Sequence, residues 1–572
     1  MDREPARSSI QSPTTTRTGL PDGLGLAFWL EGEARRRGMP VAEVAGERAE
    51  RAERAERAGR AERAGRAEPA AGRLSRRQLL AAGAGVGAAA VASLPGTARA
   101  AAAPNSVTAP RIVIVGAGLA GLRCAHQLWT GTRPLAATVY EADTSHLGGR
   151  CWSLRGYFAN GTVSEHGGSF ISSTDTAVLR LAASFGLKTE YANGGSLNSG
   201  TYAGWFNGAR YDGSQQQKDW VAEAYTAFAA SYAAMGTPRW NSATPEAQRL
   251  DQLSCLDYLA EIGLPTDSAL SQLIQSLQIQ GGGEPAQSSA ISVIGFLGNS
   301  STFDGDPGFD EKYHLVGGND QLVSRMVAQL PAGAVQQGYQ LVAVVRDGDG
   351  SYSCTFDRTG GGAPPVRVQA DHLVLALPFS TLRAVDLTGA GLTPLKLQAI
   401  QRQGMGQNAK LVTQVQAKTW SALGYNGVSN TAPSGYQTAW DGSVQLGRNG
   451  GPALLVDFPG GDTARSVLTG AAHGPAPAAD VDWFLGQIEQ VYPGTTAAFN
   501  GLAYEDRWSL DPWHLGSYHY YEVGQYTTIA GYEAVQEGRI HFAGEHTDVD
   551  NATLNAAVVS GERAAAEIAA QV

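Results

Sequence analysis

Arg111-Ile112-Val113-Ile114-Val115-Gly116-Ala117-Gly118-Leu119-Ala120-Gly121 is a β-branched run that ends at once in a glycine fingerprint. Residues 112–115 have no polar break and read as a short buried strand. Leu122, Ala125 and Leu128 recur at helical spacing, so a helix is expected to follow. The glycines answer three separate physical demands. Gly116 permits the tight turn, Gly118 lets backbone approach a pyrophosphate, and Gly121 lets helix and strand pack closely. The start of that helix offers unpaired N–H groups and the positive end of a dipole to phosphate oxygens. A second strand, Ala137-Thr138-Val139-Tyr140, ends in Glu141, 20 residues past Gly121, where a carboxylate can accept hydrogen bonds from ribose hydroxyls. A lone glycine fingerprint says little. Strand, fingerprint, helix, strand and acid in that order predict a Rossmann-like α/β domain that binds a dinucleotide. Gly148-Gly149-Arg150 adds a second flexible turn and a guanidinium suited to phosphate. Which dinucleotide is bound stays open at this point.

Working outward, the chain has 572 residues, 43% of them hydrophobic, enough for two or more domains around sizeable cores. Residues 1–74 form an Arg-rich and Ala-rich extension whose run from Glu47 to Arg66 alternates charge too evenly to bury a face, and disorder is expected there. Ser75-Arg76-Arg77-Gln78-Leu79-Leu80 opens a weakly apolar stretch that ends at Ala98-Arg99-Ala100. Residues 75–100 therefore read as a twin-arginine signal peptide, and the protein is expected to be secreted already folded around its dinucleotide. The apolar stretch falls short of the roughly 20 residues that span a bilayer, so no stable membrane insertion is expected after signal removal. The first hundred residues hold 17 Arg against 12 acids, and the whole chain carries −10, which leaves the body near −15. Such a surface does not invite nucleic acid. The four cysteines show no Cys-x-x-Cys spacing and the ten histidines no metal-ligand spacing. Asp347-Gly348-Asp349-Gly350 resembles the opening of a calcium loop but lacks its closing ligands, so a hairpin turn is expected and no metal site.

Further signposts lie downstream: Glu165-His166-Gly167-Gly168-Ser169-Phe170, His314-Leu315-Val316-Gly317-Gly318-Asn319, Ala376-Leu377-Pro378 and Lys410. Later come Trp508 through Tyr518 and Phe542-Ala543-Gly544-Glu545-His546-Thr547, leading to Ser560-Gly561-Glu562-Arg563. With these, the chain from Arg111 onward resembles the flavin-containing amine oxidases, the family of monoamine, polyamine and L-amino acid oxidases. The resemblance implies FAD, bound by a discontinuous domain of residues 107–170, 311–390 and 535–572. Residues 171–310 and 391–534 would build a mixed α+β substrate-binding domain. Helix-like apolar spacing over 218–280 and β-rich runs at 340–346 and 372–377 agree with this division. No second glycine fingerprint follows a strand, so no site for a nicotinamide nucleotide is expected.

By the same resemblance the cofactor is held by Gly116, Gly118, Gly121, Glu141, Gly149 and Arg150, then by Gly168, Ser169 and Leu341. Trp508, Gly544, Glu545, Asn555 and Ala556 complete the set, with a helix over 555–569 aiming its positive end at the flavin. Lys410 is the implied catalytic residue, organising a water and assisting reoxidation by oxygen. Tyr518, Phe170 and Thr553 are the implied substrate wall. Ser517 stands where monoamine oxidases carry a flavin-linking cysteine, so FAD is expected to be noncovalent. Thr553 stands in place of a second cage tyrosine. The implied reaction moves hydride from the carbon bearing a neutral amine to flavin N5; water hydrolyses the imine and oxygen becomes hydrogen peroxide. Alternatives on the same fold are an L-amino acid oxidase, a desaturase or dehydrogenase, and a flavin-binding protein without turnover.

Overall fold

The computed structural model of the chain describes residues 109–192, 201–303, 309–443, 451–549 and 552–572. The expected extension at 1–74 and signal at 75–100 lie outside them. From residue 106 onward the chain forms one compact unit.

The run at 112–115 is a strand because four β-branched side chains in a row fill both faces of a sheet at once. Ile112 and Ile114 point into one core, Val113 and Val115 into another. This strand is the centre of a five-stranded parallel sheet. Ala137–Glu141 and then Val335–Gln337 lie on one side of it, His372–Leu375 and then Ile540–Phe542 on the other. These strands come from three separated stretches of sequence, and the last of them lies close to the C-terminus. The helices Leu119–Thr130 and Leu554–Ala569 cover one face, with Leu122, Val139, Val374 and Val558 in the shared core. An antiparallel sheet of Tyr339–Arg346, Tyr352–Arg358 and Val366–Ala370 shares the other core through Val344 and Phe356. The turn at 347–350 joins its first two strands as a hairpin.

A second, eight-stranded mixed sheet runs from His473–Pro475 through Phe499–Arg507, Ala409–Val415, Ala453–Asp457, Thr438–Asp441, Tyr425–Thr431 and Thr201–Phe206 to Ala209–Arg210. Its one parallel pair joins Tyr425–Thr431 to Thr201–Phe206. Beside it stands a helical cluster around Trp220, Phe228 and Tyr258. The helical spacing over 218–280 resolves into several short helices, not one long one. A π-helical turn at Trp220–Ala224 and Gly236 at φ +61° interrupt it, and Thr244, Ser254 and Ser268 cap the new starts.

Two stretches expected in the substrate domain also pack on the parallel sheet. Thr176–Ser184 packs Val178 and Leu181 into the core of the parallel sheet, and Ala399, Ile400 and Ile529 pack on its opposite side. Both faces of a parallel sheet need apolar cover, and the nominal substrate stretches supply part of it. All four cysteines are buried and unpaired. No helix among the described residues is long and apolar enough to cross a membrane.

Candidate active site

A cavity of about 820 Å³ opens between the parallel and mixed sheets. Its phosphate end is made by two glycine turns that face each other. A Cβ on Gly149 would come within 3.4 Å of Gly118 Cα, and the Gly148 N–H donates to Ala117 O at 2.9 Å. Gly121 is not on the wall. It lies inside the first turn, where a Cβ would meet Gly116 O at 2.0 Å, which is the close helix–strand packing that its position demands. Glu141 lines the cavity and accepts from the N–H groups of Ala117 at 2.6 Å and Asp143 at 2.8 Å; burial raises its pKa. Arg150 donates to Ser517 O at 2.7 Å and Glu545 Oε1 at 2.9 Å, and His519 Nδ1 lies 2.7 Å from the other Glu545 oxygen. Burial opposes the Glu545 charge, but Arg150 and His519 overcome it and hold the carboxyl well below its usual range.

The other end is organised by the turn at 165–169. Glu165 Oε1 accepts the Asn319 N–H at 2.9 Å and lies 2.8 Å from His314 Nε2, while the Asn319 amide donates to Gly168 O and Ser169 O at 3.0 Å each. Two motifs far apart in sequence thus lock together. On this turn Lys410 Nζ donates to Glu165 O at 3.0 Å, Ser169 Oγ at 2.7 Å and Gly167 O. Burial pulls the Lys410 pKa down to about 8, with Asp506, Glu165 and Glu311 opposing. Trp508 Nε1 donates to His166 O at 3.0 Å. The Tyr518 hydroxyl donates to Gln280 O, and burial pushes its pKa up. Phe170 meets Trp440 edge-on at 5.4 Å, and Trp440 meets Phe458 at 5.2 Å. Gly544 and Thr553 also line the cavity.

Besides Gly121, three expected cofactor residues do not line the cavity. Leu341 lies in the core with Val344 and Phe356, because strand alternation turns it under the sheet. The final helix starts at Leu554, so Thr553, Leu554 and Ala557 face the cavity while Ala556 is buried behind them. Asn555 Oδ1 instead accepts the N–H groups of Ala177 and Val178 at 3.1 Å each. Among the wall carboxyls that sequence reasoning missed are Glu311 and Asp175. Burial raises Glu311 to about 7, helped by the charges of Asp175 and Asp310, and raises Asp175 to about 6, helped by Asp310. Neither sits in a motif. His546 is a fully buried ring against Phe379, at 4.5 Å.

The sequence pattern of the flavin containing amine oxidoreductases matches residues 119–569. The chain belongs to this family. A flavin family together with a dinucleotide berth makes FAD the cofactor of this amine oxidoreductase. The residues present fit it: facing glycine turns at a helix start, an acid at the end of the second strand, and a braced guanidinium. Putative L-amino-acid oxidase YobN of Bacillus subtilis is 24% identical over 49% of this chain and 56% of its own length. The chain thus spans little more than half of that relative. Nicotine dehydrogenase of Pseudomonas putida is 26% identical over 80% of this chain and 88% of its own. The structure of cyclohexylamine oxidase from Brevibacterium oxydans superposes with a TM-score of 0.69 at 20% identity, covering 81% of this chain and 99% of that one.

Proposed function

We propose that this amine oxidoreductase is an oxidase of cationic amines that holds FAD without a covalent bond. One observation carries the choice of amine over L-amino acid. The described wall holds the carboxyls of Glu311 and Asp175 near Lys410, and its one arginine, Arg150, is engaged by Glu545. Such a wall attracts an ammonium group and has no free guanidinium for a substrate carboxylate. The aromatic faces of Tyr518, Phe170 and Trp440 orient a nitrogen-bearing carbon chain.

Bound FAD supplies a hydride acceptor and the route by which two electrons reach oxygen. The chain's own residues do the remaining work. Glu311, with a pKa near 7, accepts a proton from the incoming ammonium so that a neutral amine is presented. Tyr518 and the aromatic wall align it and exclude water. Lys410 holds a positive charge beside Ser169 until the pH passes about 8. Amine, oxygen and water give carbonyl compound, ammonia and hydrogen peroxide. Ser517 offers a hydroxyl, which donates to Asn408, where a linking thiol would be needed. Cys151, the one cysteine on the described wall, is kept protonated by burial and by Glu165.

The purified protein would be mixed anaerobically with primary amines, polyamines and L-amino acids, then exposed to air. An amine is expected to bleach the flavin and air to yield peroxide, and acid precipitation should leave the flavin in solution. Glu311→Gln should raise KM for that amine about tenfold. Bleaching by L-amino acids alone would overturn the amine reading. Bleaching without peroxide would favour a dehydrogenase, the reading that the likeness to nicotine dehydrogenase supports.

A further inference from the structure

Against the cavity wall runs a largely buried chain of alternating imidazoles and carboxylates that reaches the wall at His514. His166 Nδ1 and His473 Nδ1 each lie 2.7 Å from the same Asp506 Oδ1. His473 Nε2 lies 3.0 Å from Asp511 Oδ2, and His514 Nδ1 lies 3.0 Å from Asp511 Oδ1. Aromatic rings enclose the chain. Trp152 stacks on His166 at 3.6 Å, and Trp508 meets His473 edge-on at 4.7 Å and His514 at 4.9 Å.

His166, His473 and Asp506 also form a trio of possible metal ligands. Distance decides against an ion. Zinc with bonds of about 2.0–2.1 Å in a tetrahedron keeps its ligand atoms roughly 3.3 Å apart. Both nitrogen–oxygen separations here are 2.7 Å, the spacing of a charge-assisted hydrogen bond. Protons, not a metal, hold the trio. Both ring nitrogens of His473 face carboxylate oxygens, and an ionised carboxylate only accepts, so both nitrogens must carry hydrogen.

We infer that His473 is a positioning residue for the flavin berth, a partly buried imidazolium that bridges Asp506 and Asp511 and thereby fixes both supports of the cavity wall. Through Asp506 it holds His166, whose carbonyl carries Trp508 and whose neighbours' carbonyls carry Lys410. Through Asp511 it holds the turn that ends in His514, because Asp511 also accepts the Trp513 N–H at 2.7 Å. His473 itself does not line the cavity. The groups facing this assembly are Asp506, Asp511, His166 and His514, with Lys410 paired to Asp506 in the sheet, Glu165 beside Lys410, Tyr504 against His166, and His146 and Arg150 near Asp511 and His514. Burial works against the His473 charge, but the two carboxylates outweigh it and raise the pKa to about 9. A raised imidazole pKa adds stability that is complete below the unfolded value near 6.5 and is lost as pH climbs through about 9.

The test measures FAD dissociation from the holoenzyme by flavin fluorescence between pH 6 and 10. Wild type should hold FAD tightly to about pH 8 and weaken through pH 9. His473→Gln, which can donate to only one of the two carboxylates, should bind at least tenfold more weakly at pH 7 and show no transition. His473→Arg, which keeps the charge and two donor directions, should restore most of the affinity. Wild-type affinity in His473→Gln at pH 7 would overturn the inference, as would one equivalent of zinc in the purified protein that is lost with His473. If His473→Gln does not fold, Asp511→Asn decides: its transition should move to lower pH, and an unmoved transition counts against the bridge.

Discussion

Lys410 shows what a single side chain gains from its surroundings. In sequence it is a lysine on an alternating strand, and only the family resemblance singles it out. In the structure it is buried and anchored on the 165–169 turn, with a pKa near 8. Lys410→Met should slow the reaction of the reduced enzyme with oxygen at least tenfold in stopped flow and leave reduction by substrate within about threefold. The wild-type oxygen rate should fall as pH rises through about 8, where the ammonium is lost, and the variant should be flat. An identical oxygen rate in Lys410→Met would remove the residue from that step. Glu311 is the opposite case. It follows no motif, and only tertiary folding brings it from the far side of the chain to the wall where Lys410 sits, so nothing local could announce it.

Elements were legible where a period or a glycine had one physical explanation. The strand at 112–115, its turn and its helix could be read because the fingerprint fixes all three. The final helix was expected to begin at 555 and begins at Leu554, and the Asn555 side chain accepts from the start of Thr176–Ser184. No periodicity reveals that a side chain will cap a neighbouring helix. Gly561 was read only as part of a motif, yet it lets two helices touch: a Cβ there would stand 2.4 Å from Ala120 O and 3.0 Å from Arg123 Cβ. Gly561→Ala should therefore cost about 1–3 kcal/mol by overpacking, seen as a lower unfolding temperature and reduced FAD content. An unchanged unfolding temperature would mean that the helices separate without penalty.

At the scale of the molecule, the class of fold was legible because glycine motifs at 116 and 544 directly follow short apolar strands of one parallel sheet. The order of the eight-stranded sheet was not, since non-local pairing leaves little trace in a single sequence. Long-range pairing also buries Glu505 completely beside Asp480, where burial raises it to about 7. An acid with a raised pKa is neutral in the folded protein while already ionised in the unfolded chain, so its presence erodes stability as pH rises from about 4.5 to 7. Glu505→Gln should gain about 2 kcal/mol on wild type across that interval, and equal urea midpoints at both ends would refute the assignment. Synthesis adds a constraint of a different kind. The ribosome makes Ile540–Phe542 long after its neighbour His372–Leu375, yet this strand completes the parallel sheet and leads into Gly544 and Glu545 of the berth. Until then His372–Leu375 has an unpaired edge, and the nascent chain carries exposed apolar surface of the kind that chaperones shield. The cofactor berth is accordingly incomplete until residue 545 has left the ribosome, and a chain broken off before Ile540 lacks both a strand of the sheet and part of the wall.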